Sequence, residues 1–147
     1  MNEFILVFGW VGIYAPVALG AIASSIGCSI AGQASIGAML EADSGYGRFI
    51  GVSVLPSTMV IYGIVIMFSL NREVTPENAG ALFGIGVLAG IAMLYCGIAQ
   101  GRVCAAAINA AKEKPEIFGI SLAPAAIIEG FAVFAFVFAL VISAGIN

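Results

Sequence analysis

The chain has 147 residues, of which 62% are hydrophobic and 9% charged, with a mean hydropathy of +1.14. Soluble domains carry roughly 25% charged residues, so this composition excludes water as the solvent of most of the chain. The formal charge of −3 rests on 5 basic and 8 acidic side chains gathered mostly in three short polar stretches, which implies no nucleic-acid partner, and the lack of histidine removes the commonest metal ligand.

A bilayer core of about 30 Å needs roughly 20 apolar residues in a helix, and four uncharged runs meet that length. The first extends from Phe4 to Leu40 and the second from Phe49 to Leu70. The third begins near Ala79 and Gly80 and is uncharged to Gly101, its helix continuing to about Ala111; the fourth is Ile117 to Ile146, interrupted only by Glu129. The opening Met1-Asn2-Glu3-Phe4 lacks the basic region of a signal peptide, so the first run is expected to stay as a helix. The separators are Glu41-Ala-Asp-Ser-Gly-Tyr-Gly-Arg48, Asn71-Arg-Glu-Val-Thr-Pro-Glu-Asn78 and Lys112-Glu-Lys-Pro-Glu116, all turn-forming. Connections this short make neighbouring helices antiparallel, which predicts an all-α membrane protein of two hairpins, residues 1–71 and 72–147. Arg48, Arg102, Lys112 and Lys114 flank loops one and three, against Arg72 at loop two. That bias places loops one and three in the cytoplasm and both termini on the opposite side.

The hairpins resemble each other: Ile30-Ala-Gly-Gln33 parallels Ile98-Ala-Gln-Gly101, and Leu55-Pro56 parallels Ala123-Pro124, which points to an internal duplication. Helices one and three are rich in small residues, with Gly20, Ser24, Cys28 and Gly32 at steps of four and Gly97, Gly101 and Ala105 likewise. Such ridges let helices approach closely where lipid removes the hydrophobic drive. Helices two and four carry bulk, such as Phe68 and Phe131, and suit a lipid-facing position. Several such hairpins around an axis would put helices one and three inside and two and four outside; packing as a monomer is the alternative. Cys28, Cys96 and Cys104 lack metal or redox spacing and read as packing residues.

A charged carboxylate at the centre of a transmembrane helix costs about 2.5–3.5 kcal/mol, which makes Glu129 the candidate functional group. With a turn near Lys114-Pro115, Gln100 and Glu129 lie 14 to 15 residues either side and face each other at one depth. Arg102, two residues on, points elsewhere and is expected to snorkel to the interface. An amide partner leaves a carboxyl free to gain and lose a proton, whereas a guanidinium would hold it ionised. Helix two adds Ser57, Thr58 and Tyr62, and Pro56 interrupts its backbone ladder.

Leu55-Pro-Ser-Thr-Met-Val-Ile-Tyr-Gly63, Gly97-Ile-Ala-Gln-Gly-Arg-Val103 and Ile128-Glu-Gly-Phe-Ala-Val-Phe134 resemble segments of the proteolipid, or c/K subunit, in the membrane rotor ring of V-type and A-type rotary ATPases. The resemblance covers essentially the whole chain. It implies a homo-oligomeric ring in lipid, a neighbouring stator subunit with half-channels, and a central stalk seated on the cytoplasmic loops. It also implies that Glu129 binds the transported ion, with Ser57 standing where a single-hairpin proteolipid has its acidic residue. Sodium-translocating relatives surround the ion with Glu, Gln, Thr, a Leu carbonyl and a second Gln. Here Glu129, Gln100, Thr58 and Leu55 match, but Met59 occupies the second Gln position, and a thioether is a poor ligand for a hard cation. The expected ion is therefore H+, with Na+ as the alternative. No cofactor is implied, and no G-x-x-x-x-G-K-[ST] loop is present, so the chain is not expected to be an enzyme by itself. A small oligomeric channel and a membrane scaffold are the readings of another class; the first would line a lumen with several polar groups and the second needs no buried carboxylate.

Overall fold

The computed structural model describes residues 2–146; Met1 and Asn147, the outer ends of the two expected hairpins, lie outside them. Among the described residues all regular structure is helical, and four helical spans are long and apolar enough to cross a membrane. The first is α1 (Asn2–Glu41). The second consists of α2 (Tyr46–Ser53) and α3 (Thr58–Leu70), joined by a 3-10 turn at Leu55–Ser57. The third is α4 (Ala79–Glu113). The fourth contains a 3-10 turn at Pro115–Ile117, then α5 (Phe118–Ser121) and α6 (Ala123–Ser143).

The second span is interrupted where Pro56 leads one to expect it, and the fourth is interrupted as well. Pro56 has no N–H to continue the ladder, so the second span breaks at Leu55–Ser57. Pro124 follows the single turn of α5 and lies in the first turn of α6, where proline is tolerated, and α6 closes at Ser143. The first loop turns through Gly45, whose φ of 80° is the left-handed conformation that glycine adopts without strain.

α1 and α4 lie side by side in the same direction over their whole length. Phe8 and Phe83 meet edge to face at one end, with ring centroids 5.2 Å apart, and Glu41 and Lys112 form a 2.9 Å ion pair at the other. Between these ends glycines set the closest approaches. A β-carbon at Gly86 would overlap the carbonyl of Gly12, which has no amide from Pro16 to accept, and one at Gly101 would fall 2.5 Å from Gly27 Cα. Gly97 abuts Ala23 in the same way, at 2.8 Å. α3 packs on α1 and α6 on α4, and the ends of α3 and α6 meet through a 3.1 Å bond from Ser143 Oγ to Ser69 Oγ.

The small-residue ridge of α1 does not serve a single neighbour. Gly20 and Cys28 face the second span: a β-carbon at Gly20 would lie 2.7 Å from the Met59 carbonyl, and Cys28 Sγ is 4.0 Å from the Val54 carbonyl. Gly32 meets nothing within 4 Å, so it makes no close helix contact within this chain. Cys104 is fully buried with Ala31 and Ile108, Cys96 packs at the edge of the other core cluster, and all three cysteines are free thiols.

Loop two is tied to the end of the fourth span by Arg72. Its guanidinium donates to the carbonyls of Ser69, Ser143 and Ile146, so one side chain satisfies the open ends of α3 and α6 together. The loops carrying Glu41 and Lys112 are at the opposite end of the molecule, where Arg48 stacks over Phe49 and Phe118.

Candidate functional site

Glu129 lies six residues into α6, half-buried, on the side turned toward α3 and α4. Three neutral donors converge on its carboxyl. Tyr62 Oη donates to Oε1 at 2.5 Å, Thr58 Oγ1 lies 3.0 Å from Oε2, and Gln100 Nε2 donates to Oε2 at 2.6 Å. Thr58 and Tyr62 sit one turn apart on α3 and so share a face. Gln100 projects from α4 and is only 2% exposed. Its amide nitrogen also lies 3.5 Å from the Ala125 carbonyl, while its Oε1 is buried without a hydrogen-bond partner.

The break in the second span shapes this arrangement. Leu55, the first residue of the 3-10 turn, presents a carbonyl that is 3.3 Å from Thr58 Oγ1. Thr58 thus lies between one acceptor and the carboxyl, with a single hydroxyl proton to place. Leu55, Thr58, Gln100, Leu122, Ala125, Ala126 and Glu129 line an open, chiefly apolar cavity of about 330 Å³. Tyr62 reaches the carboxyl's other oxygen, with its ring 5.0 Å from that of Phe136.

Of the residues singled out in the sequence, Leu55, Thr58, Tyr62, Gln100 and Glu129 come together. Ser57 does not join them: it occupies the residue before α3, and no bond from its side chain to Glu129 or to the helix end is formed. Met59 also turns away. It is fully buried in the core among Ile13, Ala23 and Met93, its Cγ against Gly97, so its thioether replaces no ligand at the carboxyl. Arg102 is exposed, on a different side of α4 from buried Gln100. Among the described residues, no group of three or more His, Cys, Asp and Glu side chains could hold a metal.

Two contributors were not legible as site residues. Ala125 enters through its backbone carbonyl, which no side-chain pattern reveals. Ser24 reads as a member of a small-residue ridge, yet its hydroxyl donates to the Pro56 carbonyl at 2.9 Å and accepts from Val60 N–H at 3.1 Å. The signal for it is Pro56 itself, since an interrupted ladder leaves backbone groups that need a partner from another helix.

Among known protein families, the model for the C subunit of ATP synthase matches residues 11–70 and again residues 83–142. The A-type ATP synthase subunit K of Methanocaldococcus jannaschii is 40% identical over 123 residues, which cover 81% of this chain and 56% of that protein. This match therefore spans little more than half the length of the relative. The V-type sodium ATPase subunit K of Enterococcus hirae is 28% identical over 145 residues, covering 95% of this chain and 93% of the relative. The two family matches are equally long and start 72 residues apart, a register that sets Glu41 opposite Glu113 and Ser57 opposite Glu129. This offset differs by about one helical turn from the one that separates Pro56 and Pro124.

Proposed function

This chain belongs to the ATP synthase C-subunit family, and from that membership we propose that it is an ion-translocating subunit in the membrane rotor ring of an A/V-type ATPase. In this reading it works as one of several identical subunits in lipid and is not a catalyst by itself. A stator subunit with half-channels lies beside the ring, and a central stalk stands on loops one and three at the cytoplasmic side. The observation that carries the reading is Glu129, a carboxyl in a membrane-spanning helix ringed by Tyr62, Thr58 and Gln100 and by no cation.

The carried ion is the proton. When Glu129 is ionised, the hydroxyls of Tyr62 and Thr58 and the amide of Gln100 all donate to it, as charge-assisted bonds require. When it is neutral, its own hydroxyl on Oε2 donates to Thr58 Oγ1, and Thr58 turns its proton to the Leu55 carbonyl. The exchange needs only rotation of hydroxyl groups. Facing lipid, Glu129 stays neutral, because a bare charge there is costly. Facing a hydrated half-channel it ionises, and rotation alternates the two surroundings. One carboxylate per four helices moves few ions per turn, a gearing that suits pumping against a steep gradient.

The buried, unpartnered Oε1 of Gln100 favours a second reading, in which Na+ takes oxygen ligands from Glu129, Gln100, Thr58 and Leu55. The name of the Enterococcus relative is in keeping with it. Carbodiimide modification of Glu129 in purified rings, followed across pH with and without sodium, separates the two. Modification that sodium leaves unchanged supports the proton; protection by sodium supports the second reading. Absence of modification at Glu129 at every pH contradicts both.

A further inference from the structure

Helix α3 begins at Thr58 without a cap of its own. The N–H groups of a first turn have no carbonyl behind them to bond, and a Ser at the N-cap usually supplies an oxygen to the third of them. Ser57 holds that position but makes no side-chain cap bond. The third N–H, that of Val60, instead reaches Ser24 Oγ on α1 at 3.1 Å. The same hydroxyl donates to the Pro56 carbonyl at 2.9 Å. Pro56 and Val60 are four residues apart, the spacing of one α-helical bond, so a hydroxyl from another helix is inserted where that bond would be.

This use of Ser24 is unusual. A serine within a helix tends to bond back to a carbonyl of its own preceding turn, and Ser24, 8% exposed, turns across to the second span instead. The residues beside it fit the same task. A β-carbon at Gly27 would lie 2.6 Å from Pro56 Cβ, so glycine makes room for the proline ring, and Cys28 Sγ lies 4.0 Å from the Val54 carbonyl.

We infer that Ser24 is a positioning residue for the ion site: it caps α3 from a neighbouring helix and thereby aims Thr58 and Tyr62 at Glu129. Ser24 is not bonded to the carboxyl. It holds Val60 N–H, and Val60 lies midway between Thr58 and Tyr62, whose hydroxyls are 3.0 and 2.5 Å from Glu129. Without the inserted hydroxyl, Pro56 and Val60 either close on each other, which rotates the first turn, or stay unbonded, which loosens it. Both displace Thr58.

This role rests on Glu129 being the ion carrier, and the test separates the two. The pH profile of carbodiimide modification at Glu129 is measured in assembled rings of the unaltered protein, Ser24→Ala and Ser24→Thr. In Ser24→Ala the profile is displaced by roughly half a pH unit, the order expected for one weakened hydrogen bond to the carboxyl. In Ser24→Thr, which keeps the hydroxyl, it returns to that of the unaltered protein. If Ser24→Ala does not assemble, Ser24→Cys takes its place, since a thiol is nearly isosteric and a far weaker donor. An unchanged profile in the variant lacking the hydroxyl, or a displacement that threonine does not reverse, overturns the role of Ser24. If the unaltered ring itself is not modified at Glu129, the carrier reading fails, and the Ser24 role falls with it.

Discussion

Gln100 Nε2 meets Glu129 Oε2 at 2.6 Å, while the other end of the same amide, Oε1, is buried without a partner. The amide therefore has one settled bond and one unused acceptor at the membrane carboxyl. Gln100→Leu removes both. Hydrogen bonds to charged groups are worth about 1.5–3 kcal/mol, so ATP-driven ion uptake by the assembled complex should fall about tenfold or more. Uptake within twofold of the unaltered complex would count against a role for this amide.

Tyr62 gives the cleanest separation of chemistry from packing. Tyr62→Phe deletes the donor to Oε1 but keeps the ring that lies 5.0 Å from Phe136. Thermal stability should change by no more than about 1 kcal/mol, while the pH profile of Glu129 modification moves by roughly one unit. A stable variant with an unmoved profile would remove Tyr62 from the site.

The glycines divide into two groups with opposite expectations. Gly86→Ala forces a β-carbon into the Gly12 carbonyl and cannot be relieved by a flexible side chain, so it should destabilise the protomer by about 1–3 kcal/mol. Gly32→Ala meets nothing within 4 Å and should leave the protomer as stable or more so, since alanine favours helix by about 1 kcal/mol. Thermal unfolding followed by circular dichroism in detergent compares the two directly.

Arg72→Met leaves the carbonyls of Ser69, Ser143 and Ile146 without their donor. The end of α6 should fray, seen as faster amide hydrogen exchange over residues 140–146, with exchange around Glu129 unchanged. Equal protection in both proteins would show that the clamp is dispensable.

Much of this molecule is legible before any coordinates. Four uncharged runs fix the spans because lipid imposes a length, and a carboxylate inside one of them is conspicuous for the same reason. Gln100 is found by counting outward from Lys114-Pro115, since two antiparallel helices rise equally from a turn. The sequence is less informative about azimuth. Ser57 and Met59 are neighbours of Thr58, but Ser57 ends the 3-10 turn at Leu55–Ser57 and Met59, the residue after Thr58 in α3, faces the core. Periodicity also says nothing about which helix a small residue faces. Gly20 and Ser24 turn to the second span, and Gly32, on the same ridge, meets no neighbour within the chain. The backbone carbonyls of Pro56 and Ala125 carry no side-chain signature at all.

Protonation of Glu129 as the means by which ions cross the membrane is tested most directly by ATP-driven proton uptake in sodium-free vesicles. These bear the complete ATPase with either the unaltered subunit or Glu129→Gln. Uptake is expected with the unaltered subunit and none with Glu129→Gln, although that ring still assembles. Proton uptake that survives Glu129→Gln would contradict the carrier role.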